Sequence, residues 1–279
     1  MNRYFVMPCT ALQPYVDRFW GWESEAFLQL PPMLPGTGAE LMFHYGTPCQ
    51  IQNSCLGLQT SGPAFLLCAR RAPHRLQAQA GLGFISVRFR SGALRHFSPL
   101  PLSELIDDAL PIQDVWGPAG LEVANRVAMA FDQASRVAIL EDWLLACLRQ
   151  HGKAQPMMEA AVRQLYYQHR SIRVEMLAEQ LGMSRRNFER VFREQIGMSP
   201  KAFQRTARFH LTMRDLLLAH QADYLDAALS HGYYDQAHFI HDFQAFVKDS
   251  PVAFLKRTAT MAHFYNPPLF TPDKVPLPR

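Results

Sequence analysis

One pattern of apolar and small positions occurs twice between residues 171 and 255, and the second copy follows the first by about 50 residues. Each copy has an alanine, a glycine four residues later, two phenylalanines four residues apart and a Ser-Pro pair. In the first copy these residues are Ala178, Gly182, Phe188, Phe192 and Ser199-Pro200, and in the second they are Ala228, Gly232, Phe239, Phe243 and Ser250-Pro251. A repeat of this length indicates one structural unit used twice.

Each copy predicts two short helices joined by a tight turn. Gly182 and Gly232 stand where such a turn needs a positive φ. Ser184 and Asp235 stand just before the second helix, where a short side-chain oxygen can accept from an unpaired backbone N–H. The arrangement is typical of a helix-turn-helix, whose second helix can lie in the major groove of DNA.

A long helix is predicted between the two copies. Pro200 suits its first turn, and we expect it to reach about Ala219. Twenty residues at 1.5 Å each give a rod of about 30 Å, which is close to the ~34 Å of one turn of B-DNA. A spacer of this length could set both second helices into successive major grooves. Another helix is expected from about Pro156 to His169.

The region from Tyr4 to about Phe97 has alternating apolar positions typical of β-strands. Frequent Pro and Gly divide it into short strands, which indicates a small antiparallel barrel or sandwich. Barrels of this kind can hold a small ligand. The apolar side of two strands is therefore the candidate lining for an effector, and it comprises Leu41, Phe43, Tyr45, Ile85, Val87 and Phe89. Arg88 or Arg90 could meet a carboxylate at its rim.

From about Gly117-Pro118 the pattern becomes helical. One apolar stripe comprises Leu121, Ala124, Val127, Ala128 and Phe131, and a second comprises Ile139, Leu140, Trp143, Leu144, Cys147 and Leu148. Ser135 is a candidate cap of the second helix. The stripes favour either a packed core or self-association through a helical hairpin. These patterns predict an α+β fold class, with a cupin-like β-rich domain at 1–117, the hairpin at 118–152, an all-α domain at 156–257 and a Pro-rich tail at 258–279.

The chain has 279 residues and a net charge of +4, but its basic residues are concentrated. Residues 163–214 hold 11 basic and 4 acidic side chains, whereas residues 215–279 hold 5 and 7. The first copy and the helix after it therefore carry the electrostatic footprint expected for contacts with phosphates. The second copy should contribute less non-specific affinity.

Other functional classes have weaker support. Apolar runs are too short for a transmembrane helix, and no signal peptide is recognisable, so we expect a cytoplasmic protein with no membrane partner. The five cysteines form no C-x-x-C pair, which argues against a disulfide framework. A metal-dependent enzyme is the competing class, but the histidines and carboxylates of the β-rich region lack metal-site spacing. We expect no catalytic residue, metal or cofactor.

The two copies and their spacer resemble the DNA-binding domain of the AraC/XylS family of bacterial transcription regulators. The residues that carry the resemblance include Leu177-Ala178, Gly182-Met183-Ser184, Gly197-Met198-Ser199-Pro200 and the run from Gly232 to Phe239. The resemblance implies a sensor that binds a small effector, with double-stranded DNA, a second copy of the chain and RNA polymerase as partners. A sensor that binds a protein instead of a small molecule is the alternative.

The family also implies positions for base contacts. In the first copy these positions hold Arg185, Arg186, Glu189 and Arg190, and in the second they hold Gln236, Ala237, His238 and His241. Arg can donate to guanine and Glu can accept from cytosine, while Arg193 is better suited to phosphate. Asp242 is poorly placed for phosphates. We therefore expect the first copy to dominate specificity.

Overall fold

The structure, a computed structural model, describes residues 2–27, 30, 32–53, 57–60, 62–107, 109–153, 155–218 and 224–258. The strands are β1 (Asn2–Val6), β2 (Val16–Ser24), β3 (Glu40–His44), β4 (Gln50–Asn53), β5 (Gly57–Thr60), β6 (Ala64–Leu67), β7 (Arg75–Gln77), β8 (Leu82–Phe89) and β9 (Ala109–Pro111). The helices are α1 (Ile112–Met129), α2 (Gln133–His151), α3 (Pro156–Tyr167), α4 (Val174–Gln180), α5 (Arg185–Ile196), α6 (Pro200–Leu218), α7 (Tyr224–Ser230), α8 (Gln236–Val247) and α9 (Pro251–Thr258). Most of the predicted tail, from residue 259 onward, lies outside the described residues.

The strands form two antiparallel sheets, as the alternating pattern predicted. The larger has the order β1-β2-β8-β3-β6-β9, and the smaller has the order β5-β4-β7. β3 and β8 pair at the centre of the larger sheet, where Leu41 lies opposite Val87 and Phe43 lies opposite Ile85. The N-terminal region is therefore a β-rich domain with two sheets, joined to an all-α C-terminal region.

The larger sheet buries both of its faces, so the side chains predicted to line an effector pocket lie within the core of the domain. One face packs against α1 and α2, and it carries Leu41, Phe43, Ile85, Val87 and Phe89, with Tyr45 at its edge. All five core residues are at most 2% exposed. The opposite face meets the smaller sheet through Trp20, Trp22, Met42, Phe65 and Phe84. Because both faces of the sheet are apolar, the alternation of side chains along a strand shows which residues share a face. It does not show which face packs against the helices.

The helical hairpin comprises α1 and α2, and α1 begins at Ile112, ahead of the change in sequence pattern. A break in α1 coincides with that change, since Gly117 has φ 59° and ψ −145°. In the first predicted stripe, Ala124 and Val127 are buried, whereas Leu121 is 37% and Phe131 98% exposed. The cap of α2 was assigned to the wrong residue. Asp132 accepts from the backbone N–H of Ser135 at 2.8 Å, so Asp132 is the N-cap.

The C-terminal helices form two helix-turn-helix units, α4–α5 (the first unit) and α7–α8 (the second unit), joined by the spacer α6. Gly182 and Gly232 have φ 63° and 85° in the two turns, as expected. Ser184 and Asp235 cap α5 and α8 through their side chains. The spacer has 19 residues, which corresponds to about 28 Å.

The β-rich N-terminal domain is called the sensor domain below, after its predicted role, and it packs on the first unit through residues 92–104. At Gly92 an added Cβ would lie 3.1 Å from both Val162 of α3 and Ile196 of α5. At Gly197, an added Cβ would lie 2.7 Å from the carbonyl oxygen of Leu102. These approaches need glycine, because both residues also have positive φ. The carboxyl end of α5 is therefore fixed against the sensor domain.

Candidate DNA-binding surface

The exposed side of α5 is the first candidate for contact with DNA. Ser184 starts the helix, because its hydroxyl accepts from the backbone N–H of Asn187 at 3.3 Å. Phe188 and Phe192 are fully buried against α3, α4 and α6. Their burial fixes the rotation of α5 about its axis, so the polar side of the helix faces outward. We call α5 and its counterpart α8 the reading helices.

Two of the predicted base-reading arginines already hold ion pairs. Arg185 contacts Glu175 at 2.6 Å and Glu189 at 2.9 Å, and its side chain is 59% exposed. Arg190 contacts Glu194 at 2.6 Å and is 60% exposed. Exposed pairs of this kind contribute only about 0–1 kcal/mol. Both arginines can therefore exchange a carboxylate for a base or a phosphate at small cost.

Arg186 and Arg193 are the uncommitted cations of α5. Both are exposed, and neither has a hydrogen bond or an ion pair among the residues that the structure describes. Glu189, predicted to accept from cytosine, instead holds Arg185 in the free chain. The side chains that can meet DNA without first breaking an internal contact are thus Arg186 and Arg193.

The second reading helix presents a different surface. Gln236, Ala237 and His241 are exposed, and the amide of Gln236 donates to the hydroxyl of Tyr224. His238 is half-buried, with its Nδ1 3.3 Å from the backbone N–H of Tyr234. The ring of His238 also packs against another aromatic ring, so part of this side chain is structural. No lysine or arginine lies on α8, which is consistent with the lower basic charge of this region.

Asp242 of α8 does not lie at the surface where phosphates could approach. It is 3% exposed, and its two carboxylate oxygens accept from two arginines of α6. Arg205 donates from Nε at 2.9 Å, and Arg208 donates from Nη2 at 2.9 Å. The sequence-based expectation that Asp242 faces phosphates poorly missed this internal role. Its position between the buried Phe239, Phe243 and Phe246 is the signal that places it on the inward side of α8.

The turns that end the reading helices also differ. α5 ends at Gly197 with φ 89°, whereas α8 ends at Lys248 with φ 60°. This left-handed conformation costs about 1 kcal/mol or more for a residue with a Cβ. The second unit therefore carries backbone strain that the first unit avoids.

A buried contact joins the sensor domain to the first reading helix. Arg95 is 2% exposed. Its guanidinium donates to Oε1 of Gln195 in α5 at 2.5 Å and to Oε1 of Glu159 in α3 at 3.1 Å. The neighbouring His96 lies 3.4 Å from the same carboxylate. A movement of the segment that carries Arg95 is thereby linked directly to α5.

A polar cluster lies on the face of the larger sheet that meets the smaller sheet. Glu40 accepts from Nε1 of Trp20 at 3.1 Å and from the hydroxyl of Ser86 at 3.3 Å. Arg88 donates to Oε1 of Glu40 from Nη2 at 2.9 Å. Arg88 thus lies on the opposite face from Leu41, Phe43, Ile85, Val87 and Phe89, and the predicted effector residues are not brought together at one site.

The described cysteines and histidines of the sensor domain lie mostly apart from one another. Among the described residues, no group of three or more metal-ligating side chains is found. Cys49 is buried, and its Sγ lies 3.2 Å from Nε2 of His44. The described cysteines, Cys9, Cys49, Cys68 and Cys147, are free thiols. Cys55 lies outside the described residues.

These features define a class, the two-unit helix-turn-helix proteins with a β-rich partner domain. Residues 177–257 match the family described as a helix-turn-helix domain, and residues 4–111 match a domain of unknown function, DUF6597. Residues 177–257 thus carry an AraC-type helix-turn-helix domain, as the sequence resemblance predicted. No described helix is long and apolar enough to cross a membrane.

The fold is similar to that of a solved structure. The structure of ToxT from Vibrio cholerae at 1.65 Å has a TM-score of 0.51 and 10% sequence identity, and the match covers 85% of this chain and 97% of that chain. ToxT from strain SCE256 with a bound unsaturated fatty acid has a TM-score of 0.45 and 12% identity, covering 85% and 94%. No curated protein matches the chain.

Proposed function

We propose that this chain binds a specific sequence of double-stranded DNA mainly through its first unit. The observation that carries the proposal is the exposed, uncommitted pair Arg186 and Arg193 on a helix whose rotation is fixed by buried Phe188 and Phe192. An arginine near the amino end of a reading helix suits bidentate contact with guanine, and one further along suits a phosphate. Arg185, Glu189 and Arg190 complete the proposed surface.

The second unit contributes the weaker half of the proposed interface. Gln236 and His241 are exposed and can reach base edges, and Ala237 can contact a thymine methyl group. Lysine and arginine are absent from α8, so its contacts add little to the salt-dependent part of the affinity. The first half of the binding site should therefore tolerate fewer base changes than the second.

The direct test begins with duplexes selected from a random-sequence library by the full chain. Binding of the best duplex is then measured against a scrambled duplex over a range of salt concentrations. A regulator of this kind should prefer its selected site by about 10³-fold or more. Equal affinity for both duplexes at every salt concentration would contradict the proposal.

We further propose that a small amphipathic effector controls the chain through the sensor domain. The face between the two sheets supports this because it combines an apolar core of Trp20, Met42 and Phe84 with the polar cluster at Arg88. An effector carboxylate could replace Glu40 as the partner of Arg88, while its apolar part separates the sheets. The effector would thereby change the shape of the domain that holds α5.

Thermal unfolding of the full chain with a panel of metabolites and fatty acids tests the effector proposal. A ligand at 100 times its Kd stabilises by about 2.7 kcal/mol. The stabilisation should be smaller in Arg88→Gln and unchanged in the exposed variant Arg126→Gln. If no member of the panel raises the Tm, a sensor that binds a protein becomes the better explanation.

Self-association through the hairpin is also proposed, because the end of α1 and the turn that follows expose two large apolar residues. Met129 is 86% and Phe131 98% exposed. Their burial between two copies is favourable at roughly 25 cal/mol per Å². RNA polymerase is the further partner proposed for a regulator bound at its DNA site.

A further inference from the structure

The carboxylate of Asp242 and the guanidinium groups of Arg205 and Arg208 form a bridge between α8 and the spacer α6. Arg205 donates from Nε at 2.9 Å and from Nη2 at 2.8 Å to Oδ1, and Arg208 donates from Nη2 at 2.9 Å to Oδ2. Both oxygens of one buried carboxylate are therefore occupied. Since Arg205 and Arg208 are three residues apart, they lie on the same side of α6.

Aromatic rings hold the two arginines in place. The guanidinium of Arg205 lies 4.8 Å from the ring centre of Phe246, and that of Arg208 lies 4.4 Å from the ring centre of Tyr233. Tyr233 belongs to the turn before α8, and Phe246 belongs to its last turn. The bridge therefore contacts the second reading helix near both ends as well as through Asp242.

The first unit has no equivalent of this bridge. With the phenylalanines of the two units aligned, Val191 of α5 occupies the position of Asp242. α5 is instead fixed at its carboxyl end by the sensor domain, through Gly197 and the contact of Gln195 with Arg95. The two reading helices are thus positioned by different parts of the molecule.

We infer that Asp242 is a positioning residue for DNA recognition, which sets the angle of the second reading helix on the spacer. The inference rests on the proposed DNA binding of the two units. Asp242 contacts no DNA itself, and it acts through Arg205 and Arg208. Because Arg205 and Arg208 bind Asp242, part of the basic charge of residues 163–214 holds α8 on α6 and does not contact phosphates.

The test uses the full chain and its selected duplex, with hydroxyl-radical footprinting. Wild type should protect two segments about 10 base pairs apart. Asp242→Asn keeps the size of the side chain but removes the charge. It should protect only the segment read by the first unit, and its affinity at fixed salt should fall roughly tenfold, the effect of losing one good base contact. Persistence of the first segment shows that the variant is folded.

Two further variants make the outcome specific. Asp226→Asn removes the same charge from an exposed position of α7 and should retain both protected segments. Arg208→Gln should shorten the footprint as Asp242→Asn does. Combining the two substitutions should cost little more than either one, because each breaks the same bridge and the double variant leaves less unpaired charge.

Opposite results would overturn the inference. If Asp242→Asn binds more tightly with both segments protected, Asp242 acts only by repelling phosphates. If the losses from Asp242→Asn and Arg208→Gln add fully, Arg208 contacts DNA independently of Asp242. A wild-type chain without any specific footprint would instead contradict the proposed DNA binding itself.

Discussion

Arg95 and Glu159 form an ion pair across the boundary between the sensor domain and the helical domain, with Nη2 and Oε1 3.1 Å apart and side chains 2% and 12% exposed. The pair lies beside the carboxyl end of α5, where Gln195 accepts from the same guanidinium. A charge at this depth is stable only while its partner stays in place. The pair therefore reports whether the two domains are docked.

Removal of either member of this pair should destabilise the chain, and removal of both should cost less than the sum of the two single losses. Arg95→Gln leaves Glu159 without its compensating charge and should lower the free energy of unfolding by roughly 3 kcal/mol. Glu159→Gln should have a similar effect, and the double variant should lose much less than the sum. Urea unfolding measures all three. The exposed Arg126→Gln is the control, and strictly additive losses would contradict the coupling.

Arg186→Ala should weaken binding to the selected duplex by roughly 1–3 kcal/mol, the value of one good base contact. The side chain is exposed and has no partner among the described residues, so its removal should leave the stability nearly unchanged. Fluorescence anisotropy at fixed salt measures the affinity. Arg126→Ala removes an exposed arginine from α1 and should bind as wild type does. Equal affinities for both variants would exclude Arg186 from the interface.

The turns after the two reading helices give a matched pair of stability predictions. Gly197→Ala places a Cβ 2.7 Å from the carbonyl oxygen of Leu102 at φ 89°, so it should lower the free energy of unfolding by more than about 1 kcal/mol. Lys248→Gly relieves a residue at φ 60°. It should raise stability by about 0.5 kcal/mol, since the added freedom of the unfolded chain offsets part of the gain. Chemical denaturation distinguishes the two signs.

Stability should decrease as the pH falls below about 6.5, because several histidines are buried in their neutral form. Burial is the main cause that lowers the pKa of His44, His74 and His96 to about 4. The unfolded chain takes up protons at these sites near pH 6.5, whereas the folded chain resists until about pH 4. The stabilising contribution is therefore complete above about pH 7 and is lost progressively between these two values.

His96→Gln provides the check on this pH dependence. One such histidine can contribute at most about 1.4 kcal/mol per pH unit. Urea unfolding at pH 7.5, 6.0 and 5.0 should therefore show a shallower fall for His96→Gln than for wild type. Identical slopes in the two proteins would mean that His96 titrates alike in the folded and unfolded chains.

Phe131→Ser should weaken self-association while leaving the fold intact, because the side chain is 98% exposed. Sedimentation velocity over a range of protein concentrations measures the dimer fraction of both proteins. Ala134→Ser, on the exposed side of the first turn of α2, is a milder change close to Phe131 and serves as the control. A wild-type chain that stays monomeric at high concentration would contradict the proposed hairpin interface.

The helical domain was more predictable from the sequence than the sensor domain. Turn glycines and caps act within a few residues, so Gly182, Ser184, Gly232 and Asp235 specify their local structure directly. The role of Asp242 depends on two arginines more than 30 residues away in the sequence. Local rules do not contain such pairings, and a charged residue on a reading helix is most simply interpreted as exposed.

In the sensor domain the strands were predictable but their surroundings were not. Alternation at Leu41 and Phe43 marks one face of β3, yet Met42 on the other face is equally buried. The choice between a helical cover and a second sheet is decided by chain segments distant in sequence. The predicted effector lining therefore fell on the face that α1 and α2 cover.

The packing of residues 92–104 against the carboxyl end of α5 has a consequence for the construction of chimeras between related chains. An exchange of sensor domains would replace the surface against which Gly197 and Gln195 are seated. A transplanted sensor domain could lack an arginine at the position of Arg95 or a close carbonyl at that of Leu102. The first reading helix would then lose the contacts that hold its carboxyl end. A functional chimera should therefore take residues 92–104, α3 and α5 from the same parent chain.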